Sequence, residues 1–258
     1  MKIDDVKVTR AIIEKFNKKF IDHLENDVVV AGGGPAGMYA AATLAKAGRK
    51  VALFESKLSP GGGMWGGGIG YNIIVVQEQG KRILEEIDCR YQEYEKGYYT
   101  ASAIECVACL INHAEKNGVG IFNLTEVEDV MVEDDRITGF VINRKPITMA
   151  GLHVDPVSVR GKYAIEATGH PLEVLKQVIE KTKIKLNTPS GGIEGERSMN
   201  ANLGEGVILN NSVEIAPGLF VAGMASNAAY GSHRMGPIFG GMLLSGEAVA
   251  YKIDKLLD

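Results

Sequence analysis

The sequence predicts an α/β, Rossmann-like dinucleotide-binding fold with a small antiparallel β insert, and three observations predict it. A continuous apolar run, Val28-Val29-Val30-Ala31, leads into Gly32-Gly33-Gly34-Pro35-Ala36-Gly37. An Ala-rich stretch over residues 38–46 has helical character. A second apolar run, Val51–Phe54, closes on an acid, Glu55. Short strands that are apolar on both faces belong to buried parallel sheets, and strand, turn, helix and strand in that order make one βαβ unit.

The remaining elements follow in chain order. Residues 6–24 place Ile12, Ile13, Phe16, Phe20, Ile21 and Leu24 at helical spacing. Gly48 is a C-cap for the helix over 38–46. Residues 61–70 contain seven glycines. So permissive a loop costs conformational entropy, which points to close approach to a ligand. Residues 82–86 and 101–116 read as helices. Residues 119–122, 126–132 and 137–142 read as strands, the last two joined by a turn at Asp134-Asp135. A further strand over 162–167 ends in Thr168-Gly169-His170, and 175–183 is helical. Residues 191–206 are polar and glycine-containing, which predicts a mobile loop. Pro217-Gly218 precedes a strand over 219–222, and a last helix follows Gly236-Pro237 with proline in its first turn. Residues 1–258 therefore form a single domain, with the antiparallel insert around 118–160.

A chain of 258 residues with 45% hydrophobic content can build a sizeable core. The formal net charge of −4 and the absence of a basic run argue against a nucleic-acid or anionic-membrane surface. Residues 1–26 lack a signal-type apolar core, and no stretch of about 18 apolar residues occurs. Three cysteines cannot close a disulfide set, which suits a reducing compartment, so a cytoplasmic location is expected. Cys106 and Cys109 form a C-x-x-C in mid-helix. A redox pair needs a helix N-terminus to lower its thiol pKa, so helix packing is the favoured reading.

Gly32, Gly34 and Gly37 match G-x-G-x-x-G between a strand and a helix, and Glu55 lies 18 residues beyond the last glycine. That is the full dinucleotide fingerprint. Gly32 permits the tight turn, Gly34 lets backbone approach a diphosphate, and Gly37 lets helix and strand pack closely. The helix N-terminus offers free N–H groups to phosphate. Glu55 can accept from both ribose hydroxyls and would repel a 2′-phosphate, which favours NAD or FAD over NADP.

His23 and His113 stand in charged helical surroundings and read as solvated surface residues. His153 and Asp155 are two apart and share one side if extended. His170 ends a strand, the edge where α/β folds place ligands. An imidazole and a carboxylate with open positions suit Fe(II), Mn(II) or Zn(II); the alternative is loop histidines that hydrogen-bond backbone. Arg234 can clamp a carboxylate bidentately or pair with a local acid.

The glycine loop after Glu55, Ala167-Thr168-Gly169, the segment from Gly218 to Met224 and the glycine turn at Gly236 resemble the two-dinucleotide-binding flavoprotein superfamily. A FAD-dependent oxidoreductase is one alternative that follows, and a sugar-phosphate isomerase on the same fold is another. Only one complete fingerprint is present. More specific are Pro60-Gly61-Gly62-Gly63-Met64-Trp65-Gly66-Gly67, Thr168-Gly169-His170, and Arg234-Met235-Gly236-Pro237 with Phe239-Gly240. On these the chain resembles the thiamine thiazole synthases over nearly its whole length.

The resemblance implies that NAD is a substrate. Nicotinamide is lost, the ADP-ribose rearranges and condenses with glycine, sulfur enters, and an adenylated thiazole carboxylate forms with the help of Fe(II). It implies Asp155 and His170 as iron ligands and Arg234 as the holder of the glycine carboxylate. Ala36, Glu55, Ser56, Gly63, Val127 and Met224 would contact NAD. In members that sacrifice their own sulfur, a cysteine precedes Met-Asp-Pro; here the stretch is His153-Val154-Asp155-Pro156. The resemblance is thus to archaeal-type members that use free sulfide over many turnovers, with His153 in the catalytic and NAD-binding site. It also implies a homo-octamer with sites near subunit interfaces.

Overall fold

The computed structural model describes residues 2–258. The chain opens with α1 (Asp5–Asp22), β1 (Glu25–Ala31), α2 (Pro35–Lys46) and β2 (Val51–Phe54). A 3-10 turn (Gly62–Gly66) leads to β3 (Ile73–Gln77), α3 (Glu78–Glu86), β4 (Tyr91–Glu95), β5 (Tyr98–Ser102) and α4 (Ala103–Lys116). Then come β6 (Gly120–Phe122), β7 (Thr125–Glu133), β8 (Arg136–Arg144), α5 (Lys145–Met149), β9 (Val157–Glu166) and α6 (Glu173–Lys181). The C-terminal part holds α7 (Ala201–Asn211), β10 (Glu214–Ala216), β11 (Leu219–Val221), α8 (Met224–Ala229) and α9 (Gly240–Leu257).

The central sheet runs β10-β11-β9-β1-β2-β6. β1 pairs in parallel with β2 on one side and β9 on the other, so strand order reverses about β1. The apolar runs divide their side chains by the period of two. Val28, Val30, Val51 and Leu53 face a core shared with α2, α4 and α9. Val29, Ala31, Ala52 and Phe54 face a core shared with β8, α6 and α8. Burial on both faces is why residues 28–31 and 51–54 carry no polar residue. α9 lies against α2 at Gly246, where a Cβ would come within 2.3 Å of the Ala36 carbonyl oxygen. Only glycine lets the helices meet there.

The predicted antiparallel insert is β7 and β8, joined by Asp134 and Asp135 at positive φ, 51° and 57°. β9 pairs antiparallel with β8 through residues 157–160, then continues in parallel with β1 to Glu166, so one strand serves both arrangements.

A second sheet, β3-β5-β4, went unpredicted. Tyr91–Glu95 is largely exposed and mixes tyrosine with acids, a pattern without a clean apolar face. Residues 191–206, expected as a mobile loop, are instead tied down, and residues 201–206 begin α7. α8 was also missed, because its six residues are too few to show a period. The last helix starts at Gly240, not at Pro237, with Phe239 as its N-cap.

Neither helical histidine is a free surface group. His23 packs edge-on against Phe122, and its Nδ1 meets the Lys19 carbonyl oxygen at 2.8 Å. His113 stacks on Tyr39, and burial pulls its pKa down. No helix among the described residues is long and apolar enough to cross a membrane.

Candidate functional site

A cavity of about 940 Å³ opens at the C-terminal ends of β1, β2, β9 and β11, the crevice where the strand order reverses. Its volume suits a dinucleotide-sized ligand, given the roughly 300–1,000 Å³ of small-molecule sites.

The floor is the glycine turn after β1. Gly32 has φ +98°, and a Cβ there would sit 2.5 Å from the Ala167 carbonyl oxygen, so the turn requires glycine. Gly34 is the N-cap of α2 and lines the cavity with nothing within 4 Å of a built Cβ. The space a side chain would fill is open to a ligand, at the electropositive end of a helix. Ala36 follows on the same wall. Gly37 does not line the cavity; a Cβ there would lie 2.1 Å from the Gly32 carbonyl oxygen, so its role is packing. A second glycine layer covers the first. The Gly61 N–H donates to the Gly33 carbonyl at 2.7 Å, and Gly63 reaches the cavity with open space around its Cα.

Glu55 ends β2 and is 6% exposed. Its Oε2 accepts from the Gly33 N–H at 2.8 Å and its Oε1 from the Lys57 N–H at 2.8 Å. The acid therefore fastens the glycine turn as well as facing the cavity, and its Oε1 also accepts from the Ser56 hydroxyl at 3.4 Å. Ser56, Val127 and Met224 complete this end. Beside Val127, Glu126 pairs with Lys145 at 2.5 Å through Oε2, while its Oε1 is buried and unpartnered. Glu126 lines the cavity, with that oxygen turned away from solvent.

His170 also lines the cavity, in the turn between β9 and α6. Glu166, fully buried, shapes that turn: its carboxylate accepts from the Thr168 N–H at 2.7 Å and the Val174 N–H at 2.8 Å. Burial pushes its pKa up against these hydrogen bonds. The Nδ1 of His170 lies 2.8 Å from Glu196 Oε1, which leaves Nε2 free for a ligand.

Glu196 belongs to the segment expected to be mobile. Backbone bonds from Arg197 to Ser232, at 3.0 Å, and from Asn200 to Arg234, at 2.9 Å, stitch it to residues 232–234. This places Arg197 beside Arg234 on one cavity wall, and neither guanidinium has an ion-pair partner among the described residues. Arg234 does not pair with a local acid. Sequence reasoning missed Glu196, Arg197 and Glu126; a charged Glu-Arg pair within a glycine-rich stretch was the available signal.

His153 and Asp155 fall outside this constellation. Residues 152–156 form no strand, both side chains are exposed, and neither lines the cavity. Asp155 makes no ion pair with His170. Cys89, Cys106 and Cys109 also lie away from the cavity lining.

The Thi4 family model matches residues 9–239. The thiamine thiazole synthase of Methanothermobacter thermautotrophicus is 53% identical over 257 residues, covering 100% of both chains. That of Pyrococcus furiosus is 51% identical over 251 residues, covering 97% of each. The crystal structure of Thermovibrio ammonificans THI4 superposes with a TM-score of 0.96 at 44% identity, covering 100% of this chain and 99% of that one. The anhydrotetracycline hydroxylase OxyS from Streptomyces rimosus shares the fold alone, with a TM-score of 0.57 at 14% identity. With family match, end-to-end relatives and full-length structural likeness in agreement, the chain belongs to the Thi4 family, the thiamine thiazole synthases that make the thiazole of thiamine.

Proposed function

We propose that the enzyme builds an adenylated thiazole carboxylate from NAD, glycine and free sulfide, with Fe(II), over multiple turnovers. The observation that carries this reading is one cavity lined both by the glycine turn with Glu55 and by His170, Arg197 and Arg234. The open Gly34 position at the start of α2 fits a diphosphate. Glu55, at the end of β2, fits ribose hydroxyls. Arg234 fits the glycine carboxylate, a planar anion matched by a planar fork.

The donor set of His170 and Asp155, one borderline nitrogen and one hard oxygen, suits Fe(II). When bound, iron would supply a Lewis acid with positions left for glycine-derived substrate and sulfide. Glu196 holds His170 through Nδ1, so Nε2 would be the coordinating atom. Since Asp155 is exposed and away from the cavity, a neighbouring copy of the chain would bring it to His170. The exposed apolar residues Val6, Ile12, Ile13 and Ile21 on α1, which buries none of its side chains, support self-assembly. A homo-octamer is the assembly that the resemblance implies.

His153 has no sulfur to give, and no cysteine lines the cavity, which supports external sulfide. The deciding experiment is anaerobic incubation with NAD, glycine, sulfide and Fe(II), with intact-mass analysis of protein and product. Product beyond one equivalent per chain with unchanged protein mass is expected. Loss of about 34 Da, the mass of hydrogen sulfide, from a cysteine would refute external sulfide. Bound yellow flavin, or stoichiometric NADH without nicotinamide release, would favour an oxidoreductase. Turnover of a sugar phosphate without glycine or sulfide would favour an isomerase. Mixing inactive Asp155→Ala and His170→Ala chains should restore partial activity if the two ligands come from different copies.

A further inference from the structure

All three cysteines of the chain converge at one place, between α3 and α4 and away from the cavity. Asp88, at φ +59°, turns the chain after α3, and the Cys89 N–H bonds back to the Leu84 carbonyl at 2.8 Å. This turn carries Cys89 to the face of α4 that holds Glu105, Cys106 and Cys109. Ligand atoms of Cys89, Cys109 and Glu105 all lie within 4.8 Å of one another. A tetrahedral ion with sulfur bonds of about 2.3 Å sets its ligand atoms roughly 3.8 Å apart. The three groups thus need to close by about an ångström at most.

We propose that Cys89, Cys109 and Glu105, with solvent completing the coordination at the partly exposed Cys109 side, form a site for a soft divalent cation of the Zn(II) class, distinct from the catalytic cavity. Thiolate sulfur with a single carboxylate oxygen selects zinc over magnesium or calcium. Two features support it. Arg90 grips Glu105 through Nε and Nη2 at 2.9 Å, which fixes the carboxylate at the rim. The Arg90 side chain is 90% exposed, so a cation can displace it into solvent. Cys109 is only partly buried, so an ion has a path inward.

The test uses the full-length reduced chain, titrated anaerobically with Co(II) alone. Sulfur-to-cobalt charge transfer absorbs in the near ultraviolet and reports thiolate ligands only, so binding at His170 or Asp155 is silent in that band. One equivalent should produce the band, and Zn(II) should displace it. Cys89→Ser and Cys109→Ser should each abolish it, whereas an Asp155→Ala, His170→Ala double variant should retain it, which separates this site from the proposed iron. Cys109→Ser, at a half-exposed position, serves as the variant expected to keep its fold, checked by circular dichroism. Absence of the band in the folded chain, or its persistence in both serine variants, would overturn the proposal. A disulfide between Cys89 and Cys109 forming in air, with no metal uptake by the reduced chain, would also overturn it.

Discussion

Glu196 Oε1 and His170 Nδ1 lie 2.8 Å apart across the cavity wall, joining a residue of a glycine-rich segment to one at the end of a central strand. A carboxylate at Nδ1 fixes the ring and directs Nε2 outward. Such partners are typically worth about 10–100-fold in metal affinity. Glu196→Ala should weaken Fe(II) binding by about that factor, with NAD affinity little changed. Glu196→Gln keeps an acceptor and should recover part of the loss. Anaerobic metal titration alongside calorimetry of NAD separates the two readouts, and equal damage to both would assign Glu196 a general structural role.

Glu55 both fastens the glycine turn and faces the cavity. Each charge-assisted hydrogen bond contributes on the order of 1.5–3 kcal/mol. Glu55→Ala should therefore lower NAD affinity by about tenfold or more and also lower the melting temperature, because the Gly33 and Lys57 N–H groups lose their acceptor. Calorimetry that finds NAD affinity unchanged would remove Glu55 from the site.

Gly34 and Gly37 should respond differently to the same substitution. Gly34→Ala meets no atom within 4 Å at an ordinary φ of −75°, so it should fold normally and lose nucleotide affinity by filling the cradle. Gly37→Ala places a Cβ 2.1 Å from the Gly32 carbonyl oxygen and should destabilise the fold itself. Thermal melts of both proteins with and without NAD distinguish the cases; similar melting temperatures without ligand would contradict the assignment.

Arg234→Lys keeps the charge and loses the planar fork. The glycine requirement should rise while NAD binding stays close to wild type. A matching loss of NAD affinity would place Arg234 at the nucleotide instead.

Glu205 predicts a pH dependence. Burial pushes its pKa up to about 7, against a hydrogen bond from Gln77 Nε2 at 2.6 Å. Gln77 Oε1 and Glu205 Oε1 are both buried without a partner, and a proton on Glu205 supplies a donor to a pair that lacks one. The unfolded chain releases this proton near 4.5 and the folded chain only near 7, so the folded state binds the extra proton between those values. The stabilisation is complete below about 4.5 and is lost as pH rises through about 7. Denaturant unfolding of wild type and Glu205→Gln across pH 4.5–7 checks this; the variant should flatten that part of the curve, and identical slopes would exclude Glu205 as its source.

The sequence by itself determined the βαβ unit and its glycine turn. Those features are local: apolar runs of four, a helix with a cap at Gly48, and Gly32, Gly34 and Gly37 at positions where a Cβ would strike backbone or fill the cradle. It also determined the β7–β8 hairpin through Asp134-Asp135, since a tight turn is set by the residues within it. Tertiary structure decided what depends on residues far apart in the chain. Glu196 reaches His170 only because residues 197–200 pair with backbone 35 residues onward, and no periodicity records such pairing. Cys89 joins Cys106 and Cys109 only through the turn after α3. Tertiary structure also left Asp155 exposed and outside the cavity that holds His170, although the two were grouped from sequence. Residue type states which ligand a side chain can be, whereas the folded path of the backbone decides which groups converge around one point.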